Sequence, residues 1–252
     1  GCIIERPKVI YNQKTGKFVM WFHLELKGKG YGPARAGVAI SDTPVGPYTF
    51  IRSGRINPGV YPMNMTLEEQ KLTWNPNEYE WWTPEWREAI NKGMTLFVDE
   101  DGKAYHIYSS EENLTLQIAE LSDDYLSHTG KYIRIFPGGH NEAPAIFKKD
   151  GTYWMVASGC TGWKPNEARL MTASSILGEW SQLPNPCVGK NASITFGGQS
   201  TYILPLKDGG YMFMADMWRP SSLEDSRYIW LPVRFGVDGK PIIEWQSRWR
   251  LP

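Results

Sequence analysis

The sequence predicts an all-β protein, a five-bladed β-propeller with four blades evident and the first missing or incomplete. Three observations predict it: short β-rich apolar runs follow one another along the chain, turn residues separate them at hairpin spacing, and the four-strand pattern recurs about every fifty residues once one insert is set aside.

The first unit spans about Glu5 to Gly54, with strands expected at Val9-Ile10-Tyr11, Phe18 to Phe22, Gly37 to Ile40 and Tyr48 to Ile51. Asn12 to Lys17 carries the residues of a hairpin turn. The second unit repeats the plan in Met94 to Val98, Ala104 to Tyr108, Leu116 to Leu121 and Tyr132 to Phe136. The third does so in Ala145 to Phe147, Tyr153 to Ala157, Ala168 to Thr172 and Trp180 to Leu183. The fourth runs through Tyr202 to Leu204, Tyr211 to Ala215, Tyr228 to Phe235 and Ile242 to Trp245. Asp101-Gly102, Asp150-Gly151 and Asp208-Gly209 supply turn conformations between first and second strands.

The insert covers about 54–93. Thr66 and Glu69 form a capping box ahead of one helix, and Thr83-Pro84 starts a second that Gly93 ends. Trp74, Trp81, Trp82 and Trp86 in this segment serve either ligand contact or packing of the insert on the blades. The chain is expected to form one domain over 1–252. Four blades close awkwardly, and the chain starts directly in a strand pattern, so a further blade is expected upstream.

Lys plus Arg and Asp plus Glu number 27 each, which leaves no positive excess to attract nucleic acid or an anionic membrane. No apolar run is long enough for a membrane span. The three cysteines, Cys2, Cys160 and Cys187, lack metal or disulfide spacing and are expected to be buried free thiols. His23, His106, His128 and His140 show no metal-ligand spacing, so no metal site and no cofactor are expected, a calcium ion in the channel being left open. His106, in an apolar strand, is expected to be buried and hydrogen-bonded. The 12 Trp and 13 Tyr suit sugar faces as well as a packed core.

A polar residue recurs where the first strand of a unit begins. Glu5 precedes Arg-Pro-Lys-Val-Ile, Glu142 precedes Ala-Pro-Ala-Ile after Gly138-Gly139, and Gln199 precedes Ser-Thr-Tyr-Ile-Leu. First strands of propeller blades line a central channel, so these three are expected to converge. Convergent carboxyl groups in an aromatic-rich pocket suit glycoside hydrolysis, where a protonated acid assists the leaving oxygen and a base activates water. Capping of strand starts explains the same pattern equally well. Glu142, beside Ala143 and Pro144, is the member best placed for the acid, and a nearby negative charge such as Glu5 would raise its pKa. In the second unit Gly93 stands at this position, and a segment of chain is expected to be missing between Gly93 and Met94.

The runs Glu5 to Asn12, Met94 to Ser110, Gly138 to Pro144, Ser158 to Trp163 and Gln199 to Tyr202 together resemble glycoside hydrolase family 43, and within it the branch of exo-β-1,3-galactanases. The resemblance covers nearly the whole chain. It implies a five-bladed propeller and an inverting mechanism, with Glu142 of the Glu-x-Pro motif as general acid. Most of the family places an Asp base on the first blade; in this branch it is replaced, and a glutamine matching Gln199 is implied to act as an imidic-acid base. The plain alternative for Gln199 is a hydrogen bond to a sugar hydroxyl. Glu5 matches a substrate-contacting carboxylate. Tyr31, Thr161, Trp163, His140, Asp216 and Trp218 are weaker substrate-binding candidates. At Gly93 relatives carry an Asp that tunes the acid. The resemblance further implies an oligosaccharide or polysaccharide substrate, a monomer, and a secreted or periplasmic setting. The rival readings are an arabinofuranosidase or xylosidase of the same family and a non-catalytic sugar-binding propeller.

Overall fold

Asn12 folds the first two strands together: its Oδ1 accepts the backbone N–H groups of Lys14 and Thr15 at 2.9 and 3.0 Å, a side-chain turn between β1 (Ile3–Asn12) and β2 (Lys17–Glu25). With β3 (Arg35–Ser41) and β4 (Thr49–Gly54) these make an antiparallel sheet in sequence order. The computed structural model describes residues 1–72 and 92–251, which fall into two units, Gly1–His140 and Asn141–Pro252.

The second sheet of the first unit has the same meander order, β5 (Lys92–Val98), β6 (Ala104–Ser110), β7 (Thr115–Leu121) and β8 (His128–Ile135). Period-2 alternation decides which side chains meet between the sheets. Val19, Trp21 and Val38 face Met94, Leu96 and Tyr108 in one buried cluster, and the Trp21 indole donates to the Tyr125 carbonyl at 2.8 Å. The other face of the first sheet holds a smaller cluster, Phe22, Leu24 and Ala39, and Phe50 at its margin is exposed.

In the second unit, β9 (Asn141–Lys149), β10 (Thr152–Gly159), β11 (Arg169–Ala173) and β12 (Ser181–Leu183) form the third sheet. The fourth contains β14 (Gln199–Pro205), β15 (Tyr211–Met217), β16 (Arg227–Phe235) and β17 (Pro241–Glu244), with β13 (Cys187–Val188) added parallel to β17. Phe147, Phe213 and Leu231 fill the core between these sheets. Four-stranded meanders of this kind are propeller blades. Within each unit the first strands pack side by side, β1 with β5 and β9 with β14.

All sixteen expected strands form, and the first strand of each sheet starts earlier than its apolar run. Of the Asp-Gly turns, only Asp150-Gly151 has both residues at positive φ, 50° and 77°, as a two-residue hairpin requires. The capping box forms: Glu69 Oε2 accepts the Thr66 N–H at 2.7 Å and Thr66 Oγ1 accepts the Glu69 N–H at 3.2 Å, ahead of α1 (Leu67–Leu72). The expected second helix and Trp74, Trp81, Trp82 and Trp86 lie outside the described residues. β5 runs through Gly93-Met94 within one strand. Of the thiols, only Cys187 is buried; Cys2 is exposed and Cys160 half-buried, because the latter two lie at a chain end and at a strand end. No helix among the described residues is long and apolar enough to cross a membrane.

Two stability effects follow from packing. Gly37 pairs with Phe22 across β2 and β3, and a Cβ there would lie 2.3 Å from the Phe22 ring. Gly37→Ala is therefore expected to destabilise the fold by about 1–3 kcal/mol through forced ring displacement, measured as a lower denaturation midpoint. His106 is buried and His128 half-buried against Trp21, with His106 Nδ1 and His128 Nε2 at 3.1 Å. Burial pushes both down, His128 to about 3, with Arg52 adding to the effect on His128. The unfolded chain takes up these protons at about 6.5, so the stability of the neutral pair is present above that pH and is lost as pH falls toward the folded values. His128→Gln is expected to flatten the fall of Tm between about pH 7 and pH 4.5; a slope equal to that of the parent would remove the histidine explanation.

Candidate active site

Pairing register shows what the four first strands share. Glu5 pairs with His23, after which Arg6 and Pro7 together face Phe22. Lys92 pairs with Ser109 before Gly93 and Met94 face Tyr108, and Glu142 pairs with Ser158 before Ala143 and Pro144 face Ala157. Gln199 pairs with Asp216 before Ser200 and Thr201 face Ala215. Each polar residue thus directly precedes a two-against-one bulge, a device that bends the strand and re-aims side chains. Arg6, Gly93 and Ala143, the first bulge residues, have φ of 47°, 51° and 55°. This corrects the expectation for the second blade: the equivalent residue is Lys92, and Gly93 occupies the left-handed position after it, where glycine is unstrained. Lys92 Nζ lies 3.6 Å from Glu112.

In the second unit the bulge brings Glu142 to Gln199. Gln199 Nε2 donates to Glu142 Oε2 at 3.3 Å and to Ser158 Oγ at 3.0 Å, and Trp218 Nε1 donates to Gln199 Oε1 at 3.0 Å. An indole N–H only donates, so the atom it meets must be the amide oxygen, and the amide orientation is determined. Ser158 Oγ also donates to the Glu142 carbonyl at 3.3 Å, and Ser200 Oγ to the Ala143 carbonyl at 2.6 Å, which ties the bulge to the neighbouring blade. Gly197-Gly198 opens β14: a Cβ on Gly198 would lie 2.8 Å from Ile229 Cδ1 and 3.1 Å from Ala215 Cβ, so only glycine fits there without displacement.

A surface cavity beside this cluster is lined by Ser158, Trp163, Asn166, Gln199, Asp216 and Trp218. Trp163 and Trp218 meet edge to face, centroids 5.5 Å apart, and Trp163 is 47% exposed, so an indole face is open to a ligand ring. Asp216 is half-buried on β15. Thr161 is tied into its loop, its Oγ1 donating to the Lys164 carbonyl at 2.5 Å and accepting from Asn166 Nδ2 at 2.7 Å. Asn166 also bonds both backbone groups of Gly159, at 2.8 and 2.9 Å, and so anchors the loop that carries Trp163.

The first unit holds Glu5 in a second cluster. Its Oε1 accepts Tyr31 OH at 2.6 Å and its Oε2 lies 3.1 Å from His23 Nδ1. Burial alone raises the Glu5 carboxyl, but the hydrogen bonds from His23 and Tyr31 outweigh it and hold it below the ordinary range. Tyr31 is pushed up to about 12 by its bond to Glu5 and by burial. His140 closes this unit at φ 50°, exposed, its N–H on the Leu114 carbonyl at 3.1 Å.

Sequence reasoning thus missed Lys92, Ser158, Asn166 and His23. Ser158 opens one of the quoted runs and Lys92 lies just before another, and their signal is pairing opposite or equivalent to a known polar residue, which requires the register. Among the described residues no group of three or more His, Cys, Asp or Glu is placed to hold a metal ion.

Residues 68–219 match the sequence profile of glycosyl hydrolases family 43. Over 99% of this chain and 77% of the other, the structure matches that of a family 43 β-1,3-galactosidase solved with galactodeoxynojirimycin, at 71% identity and a TM-score of 0.94. An exo-β-1,3-galactanase variant of Phanerochaete chrysosporium, solved with β-1,3-galactotriose, matches at 33% identity and a TM-score of 0.75, over 96% of this chain and 48% of that one. The β-D-galactofuranosidase xynD of Aspergillus niger is 30% identical over 129 residues, 46% of this chain, which spans 36% of that protein's length. The structural relatives are five-bladed propellers, and the four sheets seen here are blades of that fold.

Proposed function

We propose that this chain, which belongs to glycosyl hydrolase family 43, is an exo-acting β-1,3-galactosidase that releases galactose from arabinogalactan-type β-1,3-galactan with inversion. The likeness over its full length to a β-1,3-galactosidase carries the sugar and linkage. Glu142 acts as general acid: its proton goes to the glycosidic oxygen as the C1–O bond breaks, while water adds to C1 from the opposite face. Gln199, as the imidic acid, takes the water proton on nitrogen. In the second unit Trp163 and Trp218 offer ring faces to a sugar, and in the first Glu5 and Tyr31 offer hydrogen bonds to sugar hydroxyls.

Inverting enzymes keep acid and base about 6.5–9.5 Å apart so that sugar and water fit between them. The 3.3 Å contact of Gln199 with Glu142 therefore has to open when substrate binds. A second reading for Gln199 is favoured by Trp218: an N–H donor on Oε1 and carboxylate and hydroxyl acceptors at Nε2 all match the ordinary amide. In that reading Gln199 positions Glu142 and a sugar hydroxyl and takes no proton.

Incubation with β-1,3-galactan, arabinan and xylan tests the function. Release of galactose from the first, appearing initially as the α anomer, is expected. Arabinose or xylose release would move the specificity to the rival activities of the family, and binding without release from any polymer would leave only a sugar-binding propeller.

A further inference from the structure

Behind Glu5 lies a buried chain of titratable groups. β1 and β2 place His23 opposite Glu5, and Glu25 follows two residues later on the same face of β2. His23 is 2% exposed and Glu25 fully buried. His23 Nδ1 faces Glu5 Oε2 at 3.1 Å, and Nε2 faces Glu25 Oε1 at 2.7 Å. The second oxygen of Glu25 accepts the Ala34 N–H at 2.9 Å. Tyr31 and Glu25 are the other titratable groups near the ring, and Arg6 acts on Glu5.

A neutral imidazole carries one N–H and one lone pair, whereas an ionised carboxylate only accepts. With both nitrogens against carboxylate oxygens, Glu5, His23 and Glu25 are all satisfied only if they hold one proton more than a neutral ring between two anions. The Ala34 N–H holds the second oxygen of Glu25 as an acceptor and Tyr31 OH holds the second oxygen of Glu5, so the arrangement in which both carboxylates accept throughout puts that proton on the ring. Ala34 reaches Glu25 in a left-handed conformation, φ 40°, which is strained in a non-glycine residue. The loop carrying Tyr31 is thus tied at both Glu25 and Glu5.

We propose that His23 and Glu25 are positioning residues for Glu5, an imidazolium and a buried carboxylate that keep it ionised and in one orientation toward a sugar hydroxyl. The side chain of Glu5 remains 35% exposed, and its free lone pairs point away from the partners already made. The sugar contact rests on the reading of this chain as a galactosidase, whereas the proton placement does not.

Two measurements test it. Nitrogen-15 spectra of the full chain labelled at histidine are expected to show both His23 ring nitrogens protonated at about pH 7; one bare nitrogen overturns the proposal whatever the substrate. Glu25→Gln and His23→Gln are each expected to raise KM on β-1,3-galactan about tenfold, with kcat changed less than about threefold. Unchanged KM in a folded variant overturns the positioning role. If the parent releases no galactose, the galactosidase reading fails, and the spectra still decide where the proton sits. If both variants fail to fold, Glu5→Gln decides: it is expected to lose the second His23 N–H signal, and its persistence overturns the coupling.

Discussion

Glu142→Gln is expected to lower kcat on β-1,3-galactan by about 10²–10⁴, the range in which a positioned general acid contributes. The amide keeps the shape and acceptor oxygen of the carboxylate, so the contact with Gln199 at 3.3 Å and the bulge tied by Ser158 and Ser200 persist, and Tm should be unchanged. The loss is proton donation alone. An aryl galactoside whose leaving group departs without protonation should therefore recover most of the rate. Comparable loss on both substrates would mean that Glu142 binds or positions the sugar and is not the acid.

Gln199→Ala is expected to have the second-largest effect, a loss of about 100-fold or more in kcat, because a base and a positioned water are removed together. It also leaves the Trp218 N–H and the Ser158 hydroxyl without their amide partner. Azide separates base from positioner, since it attacks C1 without giving up a proton. If Gln199 is the base, azide restores turnover and forms α-galactosyl azide. If it only holds Glu142, azide restores nothing, because the acid remains misplaced; full activity in the variant would exclude both roles.

The first blade shows how far local pattern reaches. Phe18 to Phe22 is a continuous, β-rich apolar run of strand length, Asn12 supplies its turn through its own side chain, and Thr66 with Glu69 caps a helix inside one turn of chain. Such interactions join residues a few positions apart, so they are written in order along the sequence. Glu142 was legible for a related reason: a carboxylate before x-Pro at a strand start is a local signature. The thiols were misjudged because burial of Cys2 and Cys160 depends on what packs over a chain end and a strand end.

Other features needed pairing across strands. Lys92 was passed over for Gly93 because a bulge shifts register by one residue, and only the partner strand reveals which residue faces Ser109. His23 and Glu25 look like ordinary residues of an apolar strand until Glu5 is placed opposite His23. The meeting of Gln199 with Glu142, 57 positions apart, requires two blades to pack through β9 and β14. The sequence by itself therefore determined the all-β class, the strands, their turns and the candidate acid, since each depends on period and short-range turn chemistry. Only the tertiary structure decided the bulge register, the amide orientation at Gln199 and the proton chain behind Glu5, because hydrogen bonds between distant residues have no local signature in the chain that makes them.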